Sequence, residues 1–290
     1  MGNHQQHERT VTKQHSSRCW LWLTAALLAC SVIQAGCRVS RPHVVDLPTR
    51  FRTAVGGSGA EDRAQAWQRW GESHLQSGDL LFVRGQYRIL LGLVDFSSLA
   101  SDLTDSPFSH VALVSREDDG LWVYDTVADG PRRLAFADFI ADRRLTLLAA
   151  RRLRCAHRAH SAEAIDFCHD VWQRQVPFDE TFRLENGRWY CSELIEMAFR
   201  HAGLPLSQPV PIQQLPGYDR VSPALRQVLL TARSIDPSEP VFFPGNDSAG
   251  IWSSAALEPL LGPTDIRQPP RPTIEMVNTK VVNVAATKTD

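Results

Sequence analysis

Apolar positions along this chain recur with two periods, and the switches between them mark out the elements. From Glu61 to Leu75 the residues Ala64, Trp67 and Trp70 recur at helical spacing, and Ser77-Gly78 ends the run. Asp79-Leu80-Leu81-Phe82-Val83 then reads as a short buried strand. Ile89 to Leu103 is apolar and Ser-rich without a clean period, which leaves helix and lining loop both open. Asp105-Ser106-Pro107 makes a turn, Phe108 to Val114 a strand interrupted by His110, and Leu121 to Val127 a strand interrupted by Asp125. The turn Glu117-Asp118-Asp119-Gly120 joins these two strands as a hairpin. Centred between Asp118 and Asp119, it puts Ala112 opposite Asp125 and His110 opposite Val127, so His110 and Asp125 become diagonal neighbours on one face. A one-residue slip would separate them.

Further along, Phe136 to Arg143 predicts a short helix and Leu145 to Leu153 a strand, and Ser161 is placed to cap a helix running through Ile165, Phe167, Cys168 and Trp172. The clearest period comes next. Leu194, Ala198 and Ala202, with Ile195 and Phe199 beside them, define an amphipathic helix that begins at or near Cys191 and stops at Gly203 and Pro205. Pro205 to Pro223 reads as a proline-rich loop suited to walling a cleft, Arg220 to Ala232 as a helix, and Val241 to Pro244 as an edge strand or loop. From about Gly262 the prolines, lysines and threonines lose apolar periodicity and predict a disordered tail.

The first residues change the compartment. Polar Met1 to Arg18, apolar Trp20 to Ala35 and the small pair Ala35-Gly36 before Cys37 make a secretory leader over 1–36, and Cys37 to Gly59 a flexible tether. Cys37 is the expected lipidation site, with Cys30 as the alternative, and an uncleaved signal anchor is the plainer reading of the same stretch. Either way the mature part leaves the cytoplasm. With Arg38 after Cys37, the expected destination is the outer membrane, facing the periplasm. The domain is then expected over 61–261 and the tail over 262–290. Of six cysteines only Cys155, Cys168 and Cys191 lie beyond the leader, an odd number, so at least one stays unpaired within the chain. A net charge of −1 with arginines scattered argues against a nucleic-acid partner.

A thiol at a helix N-terminus meets unpaired N–H groups and the positive end of the helix dipole, both of which favour thiolate. The commoner fate of a free Cys is to be a small buried hydrophobe. Likewise a lone strand His or Asp is usually just hydrogen-bonded or solvated. Together, Cys191, His110 and Asp125 supply the nucleophile, the base and the group that orients the base in thiol catalysis. Tyr190 and Ser192, which flank the thiol, are the candidates for substrate and oxyanion contacts. A zinc site is disfavoured because His110 and Cys191 lack close-spaced ligand pairs, and nothing implies a cofactor.

The runs Ser77-Gly78-Asp79-Leu80-Leu81-Phe82, Ser109-His110-Val111-Ala112-Leu113-Val114, Phe178-Asp179 with Phe182, and Tyr190-Cys191-Ser192-Glu193-Leu194 through Ala202-Gly203 resemble the permuted papain-like amidases of the NlpC superfamily, the YiiX and YaeF group. The likeness spans roughly 75–206, in the order His, acid, Cys. It implies an α+β permuted papain-like fold, with the Cys helix packed on a small antiparallel sheet that carries the His. It also implies a cysteine hydrolase acting on amide, isopeptide or acyl bonds of a cell-wall peptide or lipid-type substrate. Asp125 falls where that group commonly has Glu, so a weaker or longer orienting hydrogen bond is expected. Glu185 and Asn186 stand where papain-like enzymes often place a Gln for the oxyanion, which leaves the Cys191 N–H as one donor and the other unassigned. The competing expectation is a non-catalytic envelope lipoprotein that binds a wall peptide or lipid in the same cleft.

Overall fold

The computed structural model describes residues 58–86, 88–89, 94–142 and 144–270. The leader, Cys30 and Cys37 lie outside them. In chain order the principal elements are α1 (Ser58–His74), β1 (Leu80–Arg84), α2 (Phe96–Thr104), β2 (His110–Glu117), β3 (Gly120–Val127), β4 (Gly130–Ala135), α3 (Phe136–Ile140), β5 (Leu147–Leu153), α4 (Ser161–Gln173), α5 (Cys191–His201), α6 (Pro223–Arg233) and β6 (Leu257–Asp265). The strands form one antiparallel sheet in the order β6-β5-β1-β2-β3-β4.

Because successive side chains of a strand point to opposite faces, the apolar run of β1 serves two cores at once. Leu81 and Val83 face Trp67 and Trp70 of α1 and Phe136 and Phe139 of α3. Leu80 and Phe82 face Cys168 and Val171 of α4 and Leu194, Ile195, Ala198 and Phe199 of α5. The result is a sheet sandwiched between two helical layers, the mixed architecture expected. Gly71, in the interior of α1, is required by this packing: a Cβ there would lie 2.4 Å from the Phe136 ring.

Several expectations are corrected. Helix α1 starts at Ser58, three residues before the expected Glu61 and within the last residues read as tether. Ser161 does not cap α4: the chain enters it from a 3-10 turn with His160 in helical conformation, and Ser161 becomes the first helical residue. The disordered-tail reading fails at its start, since 262–265 belong to β6. Pro259 and Pro263 cannot donate to a ladder, and pairing with β5 accordingly shifts register between Pro259 and Leu261 and again before Thr264. An edge strand tolerates this, and the Ile266 carbonyl then accepts the Trp67 indole N–H at 2.7 Å, tying the strand to α1. The undecided stretch 89–103 resolves into the short ladder Arg88–Ile89 with Val94–Asp95, followed by α2, whose N-cap Asp95 accepts the Ser98 N–H. Of the stretch Val241 to Pro244 only Val241 lies in a ladder. Cys155, Cys168 and Cys191 are all unpaired.

Phe199 is fully buried in the core shared by α5 and the sheet. Phe199→Ala should therefore cost about 3–5 kcal/mol in denaturant unfolding. A change of less than 1 kcal/mol would mean that α5 is not clamped against the sheet.

Candidate active site

The site lies where two paired strands part. The β2–β3 ladder has the predicted register, Val114 opposite Val123 and Glu117 opposite Gly120, but ends at Leu113 and Tyr124. Beyond that point β2 stays paired to β1 as far as His110, and β3 to β4 as far as Val127. The two strands thus form a fork, and the N-terminus of α5 brings Cys191 into it. Tyr190 is extended (φ −96°, ψ 168°), and its carbonyl accepts the first helical bond, from Leu194 N–H at 2.9 Å. The approach is fixed by Asp179, fully buried, whose carboxylate accepts the Thr181 N–H and hydroxyl and the Arg183 N–H.

Asp125 and His110 meet across the fork, with Nε2 to Oδ2 at 2.9 Å. This is not the lengthened bond expected of a shorter acid. The reason is Arg132, directly opposite Asp125 in the β3–β4 ladder, which grips the carboxylate with Nε to Oδ1 at 2.9 Å and Nη2 to Oδ2 at 2.6 Å. The sequence reading did not single out Arg132. The turn falls at Ala128-Asp129, with Val127 opposite Gly130, and that register is what sets Asp125 against Arg132.

With Nε2 held by Asp125, the other ring nitrogen of His110 faces Cys191. Burial alone pulls the imidazole down, but the facing thiolate and the hydrogen bonds that the ring donates to Asp125 and Cys191 outweigh it and raise His110 to about 10. Burial pushes the Cys191 thiol up, yet the imidazolium, the Ser192 hydroxyl and the Val111 N–H outweigh it and hold the thiol below its ordinary value. The Asp125 carboxyl, raised by burial, is held down by hydrogen bonds from His110 and Arg132. Such strongly coupled groups titrate as a unit. Together they favour a thiolate–imidazolium pair at neutral pH.

The flanking candidates divide. Ser192 is buried with Oγ 3.8 Å from the Cys191 sulfur, so it faces the thiol. The Tyr190 hydroxyl accepts the Phe242 N–H at 2.7 Å, which makes Tyr190 the anchor of the 240–244 segment against the helix. Glu185 and Asn186 are exposed on a turn and supply nothing to the cleft. Among the described residues no group of three or more His, Cys, Asp or Glu side chains gathers as a metal site, and no helix is long and apolar enough to cross a membrane. A cavity of about 360 Å³ opens beside Cys191 and His110, walled by Phe96, Leu103, Phe178, Phe182, Leu215 and Phe243.

A thiol at a helix N-terminus, facing an imidazole that a carboxylate orients, on an antiparallel sheet in an α+β fold, defines a papain-like cysteine hydrolase. Residues 74–216 match the model of the permuted papain-like amidase enzymes, YaeF/YiiX, C92 family. Over that stretch, 143 of its 290 residues, the chain is similar to those cysteine amidases. It is similar in fold to the crystal structure described as metalloprotein yiiX from Escherichia coli O157:H7, with a TM-score of 0.50 and 20% identity over 64% of this chain and 96% of that one. No curated protein matches the sequence.

Two measurements check the electrostatics. Iodoacetamide should label Cys191 rapidly at mildly acidic pH, where free thiols, with a pKa of about 8.5, are inert. The imidazolium keeps its proton up to about 10, so the rate should stay flat through neutrality and fall only as the thiolate is protonated on the acid side. His110→Ala should slow labelling at low pH while the helix dipole preserves part of the enhancement, and Asp125→Asn should fall between. Identical curves for wild type and His110→Ala would mean that the pair is not assembled.

The second measurement concerns Glu193, one helical step from Tyr190 and fully buried, with neither carboxylate oxygen hydrogen-bonded. The Tyr190 and Glu185 N–H groups lie close enough to temper its pKa without closing a hydrogen bond. Burial, then the Asp179 charge, push the carboxyl up to about 8. The native state therefore keeps a proton that the unfolded chain releases near 4.5, and stability falls as pH rises between those values. Glu193→Gln should gain on the wild type across that window by up to about 1.4 kcal/mol per pH unit. A difference that does not vary with pH would show Glu193 ionised in the fold.

Proposed function

We propose that this protein hydrolyses an acyl bond through Cys191, with His110 as acid and base and Asp125, held by Arg132, orienting the imidazole. The Cys191 thiolate attacks the carbonyl carbon, and the C=O π pair moves onto oxygen. As that tetrahedral species collapses, the bond to the leaving group breaks and His110 delivers its proton to the departing nitrogen or oxygen. A thioester on Cys191 remains. Water, deprotonated by His110, attacks it. The carboxylic product leaves, and Cys191 and His110 return to their starting state.

The observation that carries the substrate class is the cavity. Its walls beside the thiol are apolar and aromatic, and its volume lies within the range of small-molecule sites. Polar side chains such as Gln86, Asp129, Arg132 and Asp138 also line it, but its surface is predominantly apolar, so an alkyl chain matches it better than a peptide backbone, which brings two hydrogen-bonding groups per residue. An acylated small molecule or lipid is thus favoured over a cell-wall peptide. The intact thiol–imidazole–carboxylate array favours catalysis over a binding role alone.

Each buried methylene contributes about 0.8 kcal/mol, or roughly fourfold in kcat/KM. Along a series of p-nitrophenyl esters from acetate to decanoate, kcat/KM should climb with chain length until the cavity is full, and intact-mass measurement should show the matching acyl group on Cys191. A flat or falling series, with wall-peptide amides cleaved faster, would discard the acyl reading.

A further inference from the structure

Arg132 and Arg144, on the wall of the cavity beside the thiol, each grip a carboxylate. Arg132 takes Asp125 and Arg144 takes Asp142, in both cases through the edge of the guanidinium formed by Nε and Nη2. Outside the cavity Arg152 holds Asp79 in the same way. That edge is a planar fork that fits two oxygens of a carboxylate or a phosphate. Arg226 of α6 lines the same cavity and leaves the edge free. Its Nη1 donates to the Tyr218 carbonyl at 2.6 Å and to Asp219 at 3.1 Å, while Nε and Nη2 make no hydrogen bond among the described residues. Both nitrogens are reachable, since neither is among the fully enclosed polar atoms that lack a partner.

The side chain is nonetheless held in place. It is 17% exposed, its guanidinium carbon lies 4.3 Å from the centre of the Tyr218 ring, and Nη1 is tied to backbone. Asp219 is 98% exposed, so water screens its charge and the ion pair contributes little. A cation taken largely out of water on a predominantly apolar wall is costly unless an anion meets it. The apolar contacts then say where that anion would stand. Tyr218, and Leu230 of α6, pack against the cluster of Tyr190, Ile212 and Leu215, and Tyr190 precedes the nucleophile. An apolar stretch of wall therefore runs between the thiol and Arg226. A ligand reaching both carries an alkyl span between its carbonyl and its charge.

We propose that Arg226 binds an anionic group of the substrate, a carboxylate or a phosphate, on the edge formed by Nε and Nη2, with an alkyl span joining that group to the carbonyl at Cys191. This rests on the acyl-hydrolase reading above and narrows it from any alkyl ester to an amphiphile with a negative charge. No bond changes at Arg226, which acts by binding alone.

Binding and turnover test this separately. In Cys191→Ala, which cannot form an acyl-enzyme, calorimetry should show decanoate and decyl phosphate binding about 10- to 100-fold tighter than decanol, the range of a charge-assisted hydrogen bond. The tighter of the two anions identifies the group. Adding Arg226→Gln should bring all three ligands within a few-fold of one another, and Arg226→Lys, which keeps the charge without the fork, should fall between. With Cys191 intact, p-nitrophenyl monoesters of the diacids from adipic to dodecanedioic should be compared with the uncharged alkanoates of equal length. At the length that spans the wall the charged ester should lead by a similar factor in kcat/KM, and Arg226→Gln should remove that lead. Anions that bind no tighter than decanol, or a preference that survives Arg226→Gln, would overturn the assignment and leave the hydrolase reading intact. Equal weakening of all three ligands would also overturn it, showing that Arg226 only shapes the wall. If turnover leaves no acyl group on Cys191, the hydrolase reading falls and the substrate part of this proposal with it, while the binding comparison still decides the anion site.

Discussion

A carboxylate with no access to solvent must be compensated where it stands, and the site of this protein is arranged around one. The Asp125 side chain is fully buried, and removing one partner of such a pair typically costs about 3–5 kcal/mol. It has two cationic partners, His110 on one side and Arg132 on the other. Read across the fork, the charges alternate: thiolate, imidazolium, carboxylate, guanidinium. They sum to zero, and each is flanked by its opposite. In a low-dielectric setting this alternation allows a thiolate to persist beside a buried acid, because the imidazolium between them is stabilised by both. Arg132, 28% exposed, carries the far end of the row to the surface.

The backbone makes this row rigid. Each arm of the fork retains an outer partner, β1 for β2 and β4 for β3, so His110, Asp125 and Arg132 all project from regular strand. Cys191 projects from a helix clamped by Leu194, Ile195, Ala198 and Phe199. None of the four stands on a loop. The cavity wall has another origin: Leu215 and Phe243 come from the proline-rich stretch after α5 and from the segment near Val241, held to the helix through the Tyr190 hydroxyl. Part of the wall therefore comes from segments that carry none of the charged row.

What the sequence made legible follows the same division. The hairpin turn at Asp118-Asp119 fixed the register of β2 and β3, and with it the juxtaposition of His110 and Asp125, because period-two alternation allows no intermediate. The start of α5 at Cys191 was visible in its three- and four-residue steps. Arg132 was missed because an arginine on an edge strand looks like ordinary surface until its partner across the ladder is known. Strand β6 was missed because Pro259, Gly262 and Pro263 carry the composition of a tail, and only pairing with β5 and the Trp67 contact give them order. Serines in α2 obscured its period in the same way: Ser97 and Ser101 are buried positions, where apolar residues would have announced a helix face.

Elsewhere the fold satisfies its buried acids thoroughly, which makes the exceptions informative. Glu196, one turn further along α5, is met by Arg200, the Leu206 N–H, and the N–H and hydroxyl of Ser207. Asp79 receives Arg152 and the Gln76 N–H. A chain able to surround these carboxylates with donors leaves both oxygens of Glu193 without a closed hydrogen bond, two residues along the chain from Cys191. Burial and the Asp179 charge hold the Glu193 carboxyl well above the ordinary carboxylate range, so the fold avoids a second buried negative charge beside Asp179. The cost falls in the first turn of α5, where a buried carboxyl without a partner is kept neutral by the fold.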